Sequence, residues 1–214
     1  MPQKISPETR AAILDAAWDL MASQGRLDAG VGEIAAAAGV SRQTLFYAFG
    51  NRAGLLVAMA RHQDAKSNHV ERMRAIVVGE SADVATLHAF VDAWLDYLPE
   101  VYPVAMQLET NSLSDPDVAL AWQDRFLGEG LRFGLERILE RMSASGALAP
   151  DHHPGRLADL CLALLVPSAW RILVIECGWR VEDFVASRRG LLDALLERPD
   201  LTRDKAPRSS PGNA

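Results

Sequence analysis

The sequence predicts an all-α fold, a small three-helix head followed by a larger helical domain, and three observations carry that prediction. Apolar residues recur three and four positions apart in almost every segment, few stretches alternate as strands do, and β-branched runs are scarce. Glycine and proline then divide the 214 residues into separate helices.

The first helix is expected to begin near Pro7, with Ser6 as N-cap, and to bury Ile13, Ala16, Ala17, Leu20 and Met21 before Gly25 closes it. Val31, Ile34, Ala35 and Ala38 form a short second stripe, which Gly39 ends by supplying a positive φ. Ser41 can cap a third helix at once, on which Leu45 and Phe49 share one face. A fourth helix over about 52–78 is too long for the head to cover and therefore connects two parts. Further helices are predicted over 83–98, 104–112 and 117–143, with a break at Gly146 and Pro150. Segment 157–177 is apolar nearly all round, must be covered on all sides, and should kink or break at Pro167. Segment 181–197 carries one stripe, Val181, Phe184, Val185, Leu192 and Leu195. From Arg198 the periodicity ends, and a disordered tail is expected over 198–214. The chain thus divides into a head over 1–52, a helical domain over 53–197 and the tail.

Composition is that of an ordinary globular protein, 49% apolar and 23% charged. A net charge of −6 excludes a chain coated in basic residues. Through Arg52, five basic residues balance five acidic ones, so the whole surplus lies in the remainder. The start of the chain lacks a signal-peptide core, and the most apolar stretch, 160–170, falls short of the ~20 residues of a bilayer span. A cytoplasmic location and no membrane contact are the expectation. Cys161 and Cys177 lie in apolar surroundings without a CxxC spacing and read as buried free thiols.

Two short helices joined by the turn AAGVS match a helix-turn-helix, whose second helix enters the major groove. With Leu45 and Phe49 buried, Arg42, Gln43, Thr44, Tyr47 and Ala48 are left near or on the face that looks outward. Arg42 suits guanine, Gln43 suits adenine, Thr44 can reach a phosphate or base, and Tyr47 can stack on sugar or donate to phosphate. Arg52 can clamp the backbone, and Phe46 is divided between packing on the first helix and touching DNA.

The stretch RAAILDAAWDLMASQG, followed by IAAAAGVSRQTLFYAFGNRAGLL, resembles the N-terminal domain of the TetR family from Arg10 to Leu56. The ordered combination of ILDAA, Gly25, IA, AGVS, a threonine three residues on and an aromatic pair carries that resemblance. Departures from the family pattern are Phe46 in place of tyrosine, Ala48 in place of histidine, Arg52 in place of lysine, and Gly30 in place of a side-chain cap. With the neutral head, they predict modest nonspecific DNA affinity.

The resemblance implies a C-terminal domain that binds a small molecule and dimerises through its last two long helices, here 157–177 and 181–197. The partners expected are double-stranded operator DNA, a small-molecule effector and a second copy of the chain. Trp94, Tyr97, Tyr102, Met106, Trp122, Phe126, Phe133 and Trp170 can line an apolar pocket, with Gln107, Glu109 or Asn111 orienting the ligand. Core packing accounts for any single one of them equally well. His62 and His69, and the pair His152 and His153, lack ligand partners at a recognised spacing and read as solvated, so neither metal nor cofactor is expected. No catalytic motif is present, and an enzyme is not predicted. The function predicted is a ligand-released repressor of a palindromic operator; the alternative is a helical small-molecule-binding protein whose head has lost DNA binding.

Overall fold

The computed structural model describes residues 5–24, 29–128 and 130–202, and all regular structure among them is helical. The head comprises α1 (Pro7–Gln24), α2 (Val31–Ala37) and α3 (Arg42–Phe49). Ser6 caps α1, its Oγ accepting from the Thr9 N–H at 3.1 Å, while the expected stop at Gly25 lies outside the described residues. Ile13, Leu14, Ala17 and Met21 are buried; Ala16 and Leu20 are only half-buried. Gly39 has φ +66°, so the chain turns from α2 into α3 where a Cβ would be strained.

The connecting helix is two helices, α4 (Arg52–Lys66) and α5 (His69–Val78), rather than one over 52–78. Ser67 is extended, with ψ 143°. Its hydroxyl donates to the Asp64 carbonyl at 3.3 Å and bonds His69 Nδ1. A serine side chain competing for backbone groups in this way offers the chain an exit from the helix.

Conversely, the two helices expected over 83–98 and 104–112 are one, α6 (Val84–Asn111), which passes through Pro99 and Pro103. Each proline costs ~3 kcal/mol in a helix interior. Along its length α6 buries Leu87, Phe90, Val91, Trp94, Leu98, Val104 and Leu108, at ~1.5–3 kcal/mol for each large side chain, so tertiary packing wins. Pro99 is itself exposed, which places its disruption toward solvent.

The predicted helix over 117–143 is interrupted. It consists of α7 (Pro116–Trp122), a π-helical turn (Gln123–Gly128) and α8 (Leu131–Ser145), ended by Gly146 as expected. Arg141 of α8 donates to the carbonyls of Val77, Gly79 and Ser81 and so pins the α5–α6 connection.

The break expected at Pro167 separates α9 (Pro154–Leu165) from α10 (Pro167–Trp170), which runs into a second π-helical turn (Arg171–Glu176). Four of the polar groups at this break find partners. Trp94 Nε1 donates to the Leu165 carbonyl at 3.0 Å, and Arg188, buried and lying over the Phe184 ring, donates to that of Leu164 at 3.2 Å. On the other side, Ser168 N–H and Oγ donate to the Glu109 carboxylate at 2.8 and 2.6 Å. Helix ends buried without such partners would cost ~1–3 kcal/mol per group. No single described helix is long and apolar enough to cross a membrane; α9 and the 167–176 segment bend by 41°.

The larger core joins α6, α8, α9 and α11 (Val181–Leu196) around Phe90, Leu135, Leu157 and Phe184. The head's core is not closed at residue 52: Val104, Leu108, Val118 and Ala121 pack with Ile13, Leu45, Leu55 and Leu56. Three expectations about single residues change. Residues 198–202 are ordered, with Thr202 fully buried and its hydroxyl bonded to His152 Nδ1 at 3.0 Å; 203–214 lie outside the described residues. His69 and His152 are buried and bonded rather than solvated. Cys161 is buried, its thiol pushed up to about 12 by desolvation, whereas Cys177 is exposed.

Candidate functional site

The first site is the outer face of α3. Ser41 Oγ accepts from the Thr44 N–H at 3.0 Å, fixing the helix start. Leu45 is buried, and Phe49 lies under the Arg10 guanidinium, 4.4 Å from its ring centroid. Arg42 and Gln43 are consequently exposed, as are Phe46 at 47% and Tyr47 at 50%. The Arg42 guanidinium lies over the first turn of α2, its Nε and Cζ close to Gly32. Thr44 is half-buried, and its hydroxyl is 2.8 Å from that of Ser41, which makes it part of the cap. Arg52 stands apart from this face. Its guanidinium pairs with Asp115 at 2.6 Å, tying the start of α4 to the start of α7. Burial raises the Asp115 carboxyl, but the Val118 N–H and Arg52 outweigh it and hold it below the ordinary range.

The second site is a cavity of about 1030 Å³ between the end of α4, α5, α6, the first π-helical turn and α8. Its lining combines the apolar Met73, Val77, Phe90, Trp94, Leu131 and Phe133 with the charged Arg61, Asp64, Lys66, Glu71, Arg74, Asp124 and Arg125. Trp94 and Phe133 are the two of the eight predicted ligand residues that line it. Tyr97 is buried and stacked on His69, with ring centroids 3.5 Å apart. Phe126 meets Trp94 edge-on and stacks on Trp122 at 3.9 Å. Tyr102 and Met106 are half-buried elsewhere, and Trp170 packs on Phe184. The three expected orienting residues are struts instead. Gln107 donates to the Met21 carbonyl of α1 at 2.8 Å, Glu109 holds Ser168, and Asn111 donates to the Gln107 carbonyl.

Asp64 escaped the sequence reading although a signal existed. It continues the stripe Leu56, Ala60, Asp64, so an acidic residue occupies a buried position of α4. Its side chain is 6% exposed and pairs with Arg125. Burial raises its carboxyl to about 6 against the pull of Arg125. Burial, then Arg125 and Arg72, lower His69 to about 4, so its imidazole is neutral at pH 7.

These two shifts act on stability with opposite signs in nearly the same window. Asp64 has a folded pKa above its unfolded value, so its penalty is full above pH 6 and fades as pH falls toward 4. His69 has a depressed folded pKa, so its penalty is absent above pH 6.5 and grows as pH falls toward 4. Each spans about 3 kcal/mol, and they offset. His69→Gln should therefore gain stability between pH 6 and 4 relative to wild type, and Asp64→Asn should lose it, as read by urea midpoints across that range. Parallel pH profiles for all three proteins would contradict the assignment.

Comparison with known proteins follows the same lines. Residues 13–59 match the model of the bacterial regulatory proteins of the tetR family. The HTH-type transcriptional repressor LfrR of Mycolicibacterium smegmatis is 36% identical over 188 residues, 88% of this chain and 86% of that protein. A putative transcriptional regulator of Pseudomonas aeruginosa PAO1 superposes with a TM-score of 0.71 at 17% identity, covering 93% of this chain and 96% of that one. Thermus thermophilus FadR, solved in complex with lauroyl-CoA, does so with a TM-score of 0.65 at 23% identity, covering 95% and 100%.

Proposed function

Since the chain belongs to the TetR family of bacterial regulatory proteins, we propose that it is a repressor that holds a palindromic operator as a dimer and lets go when its cavity is filled. The observation that carries this reading is the α3 face, where Arg42, Gln43, Phe46 and Tyr47 stand exposed on a helix capped by Ser41 and anchored by Leu45. In a dimer, two such helices one DNA turn apart, ~34–36 Å, would enter successive major grooves. LfrR is itself a repressor, which favours repression over activation.

Dimerisation is assigned to the C-terminal helices. Ile172, Ile175, Trp179, Val181 and Leu191 leave an apolar surface uncovered along the second π-helical turn and α11. The effector is assigned to the 1030 Å³ cavity, large enough for a drug-sized molecule. Its mostly apolar wall over the Asp64–Arg125 pair suits an amphipathic ligand with one charged end. The rival reading, a ligand-binding protein without DNA binding, draws on the engagement of Arg52 with Asp115 and on the neutral head.

Salt-titrated binding to DNA flanking the protein's own gene separates the two. Wild type should bind with an affinity that falls as salt rises. Arg42→Ala and Tyr47→Ala should each weaken binding by ~5- to 150-fold, the worth of a base-edge or phosphate contact. Absence of any salt-dependent binding by wild type would favour the rival.

A further inference from the structure

Two ion pairs join the end of α4 to the first π-helical turn, and their charges are crossed. Arg61 of α4 binds Asp124 with both nitrogens, Nη2 at 2.6 Å and Nε at 3.3 Å. One turn further along α4, Asp64 binds Arg125. Each helix thus presents one cation and one anion, and consecutive residues of the turn meet positions three apart on α4. The outer rung is solvated, with Arg61 50% exposed, whereas Asp64 in the inner rung is almost fully enclosed. All four side chains also line the cavity. Immediately beyond Asp64 the connecting helix is interrupted at Ser67, so α4 and α5 do not transmit torque as a single rod. A wide helical turn of this kind inside otherwise α-helical segments is a recurrent feature of functional sites.

We propose that these crossed pairs form a clamp through which the cavity controls the head; the proposal rests on the repressor reading above and supplies its coupling element. While both rungs are closed, α4 holds α3 in one pose, and the two heads of a dimer meet their half-sites without further ordering. A ligand whose charged end takes over Asp64 or Arg125 opens the inner rung, because the two carboxylates and two cations cannot serve ligand and clamp together. The coupling then equals the ligand's differential affinity for the open and closed clamp. Release occurs at Ser67, where the Ser67 hydroxyl and the approach of His69 Nε2 to Asp64 at 3.6 Å join the two helices. Gln107, holding the end of α1, and the Arg52–Asp115 pair remain as the pivot on the head side.

The outer rung permits a test that needs no ligand and leaves the buried core alone. Arg61→Asp and Asp124→Arg each place like charges in contact. Each should weaken operator binding by ~5- to 30-fold, within the usual range of allosteric coupling. The double variant restores opposite charges in reverse order and should recover affinity to within about threefold of wild type. Spin labels on the two α3 helices of a dimer should show a broadened inter-head distance in the singles and a wild-type distribution in the double. Circular dichroism melts identify any single variant that fails to fold, in which case Arg61→Ala, which cannot repel, replaces it in the same comparison. Singles that bind and space their heads as wild type does, or a double no better than the singles, overturn the clamp. Failure of wild type itself to bind operator DNA would instead overturn the repressor reading.

Discussion

Gly54→Ala is expected to lower the melting temperature by about 5–15 °C and to reduce operator affinity more than tenfold. In an ordinary helix this change would help, since alanine is favoured over glycine by ~1 kcal/mol. Here the added Cβ would lie 2.2 Å from the carbonyl oxygen of Phe49, the last residue of α3. A backbone oxygen cannot rotate away as a flexible side chain can. Either the first turn of α4 unwinds, losing the Asn51 cap that accepts from the Gly54 N–H at 2.8 Å, or α3 is pushed off α4. Both displace Leu45 and Phe49 from the head's core, a loss of ~2–4 kcal/mol by overpacking. The melting shift follows from ~2–4 °C per kcal/mol for a chain of this size. Thermal melts and operator titration of the variant check both halves; a stabilised Gly54→Ala with wild-type affinity would show that the α3–α4 junction has another geometry.

Ile175→Glu should turn a dimer into a monomer at micromolar concentration and lower operator affinity by ~100-fold or more. Ile175 is 59% exposed on the second π-helical turn, near Ile172 and the exposed Trp179. A buried unpaired carboxylate at the centre of an interface costs several kcal/mol, while on an isolated chain the same residue faces water and costs little. Loss of one half of a bivalent contact removes the effective concentration that links the two half-sites, worth 10²–10⁴ in affinity. Sedimentation should therefore report a folded monomer with native helix content. A variant that stays dimeric would place the interface elsewhere.

What the sequence made legible was whatever depends on residues close in the chain. The Ser41 cap, the turn at Gly39, the break at Pro167 and the stop at Gly146 are local events, each decided within four or five residues. The misreadings are cases where distant partners decided. Two prolines failed to break α6 because both cores bury its other faces. Ser67 broke a helix that periodicity alone carried through, since its hydroxyl finds Asp64 and His69. Residues 198–202 were read as part of the disordered tail because no pattern within them reveals that Thr202 meets His152, fifty residues away.

The same distinction holds for the sites. Exposure of the α3 face followed from the spacing of Leu45 and Phe49, and the structure shows it. The aromatic and sulfur-bearing residues chosen for a pocket could not be divided into lining and core without coordinates, and six of the eight lie off the cavity wall. Arg52 shows the limit most clearly: nothing near it in the chain announces Asp115, sixty-three residues on.

In the repressor, paired α3 helices would read base edges in successive major grooves. Methylation interference on the bound operator tests it most directly, because a methyl group on guanine N7 blocks an arginine approaching from the major groove. Two symmetric sets of interfering guanines about one helical turn apart are expected, with interference reduced at those positions in Arg42→Ala. Binding that is indifferent to N7 methylation, or interference confined to a single unpaired site, would contradict it.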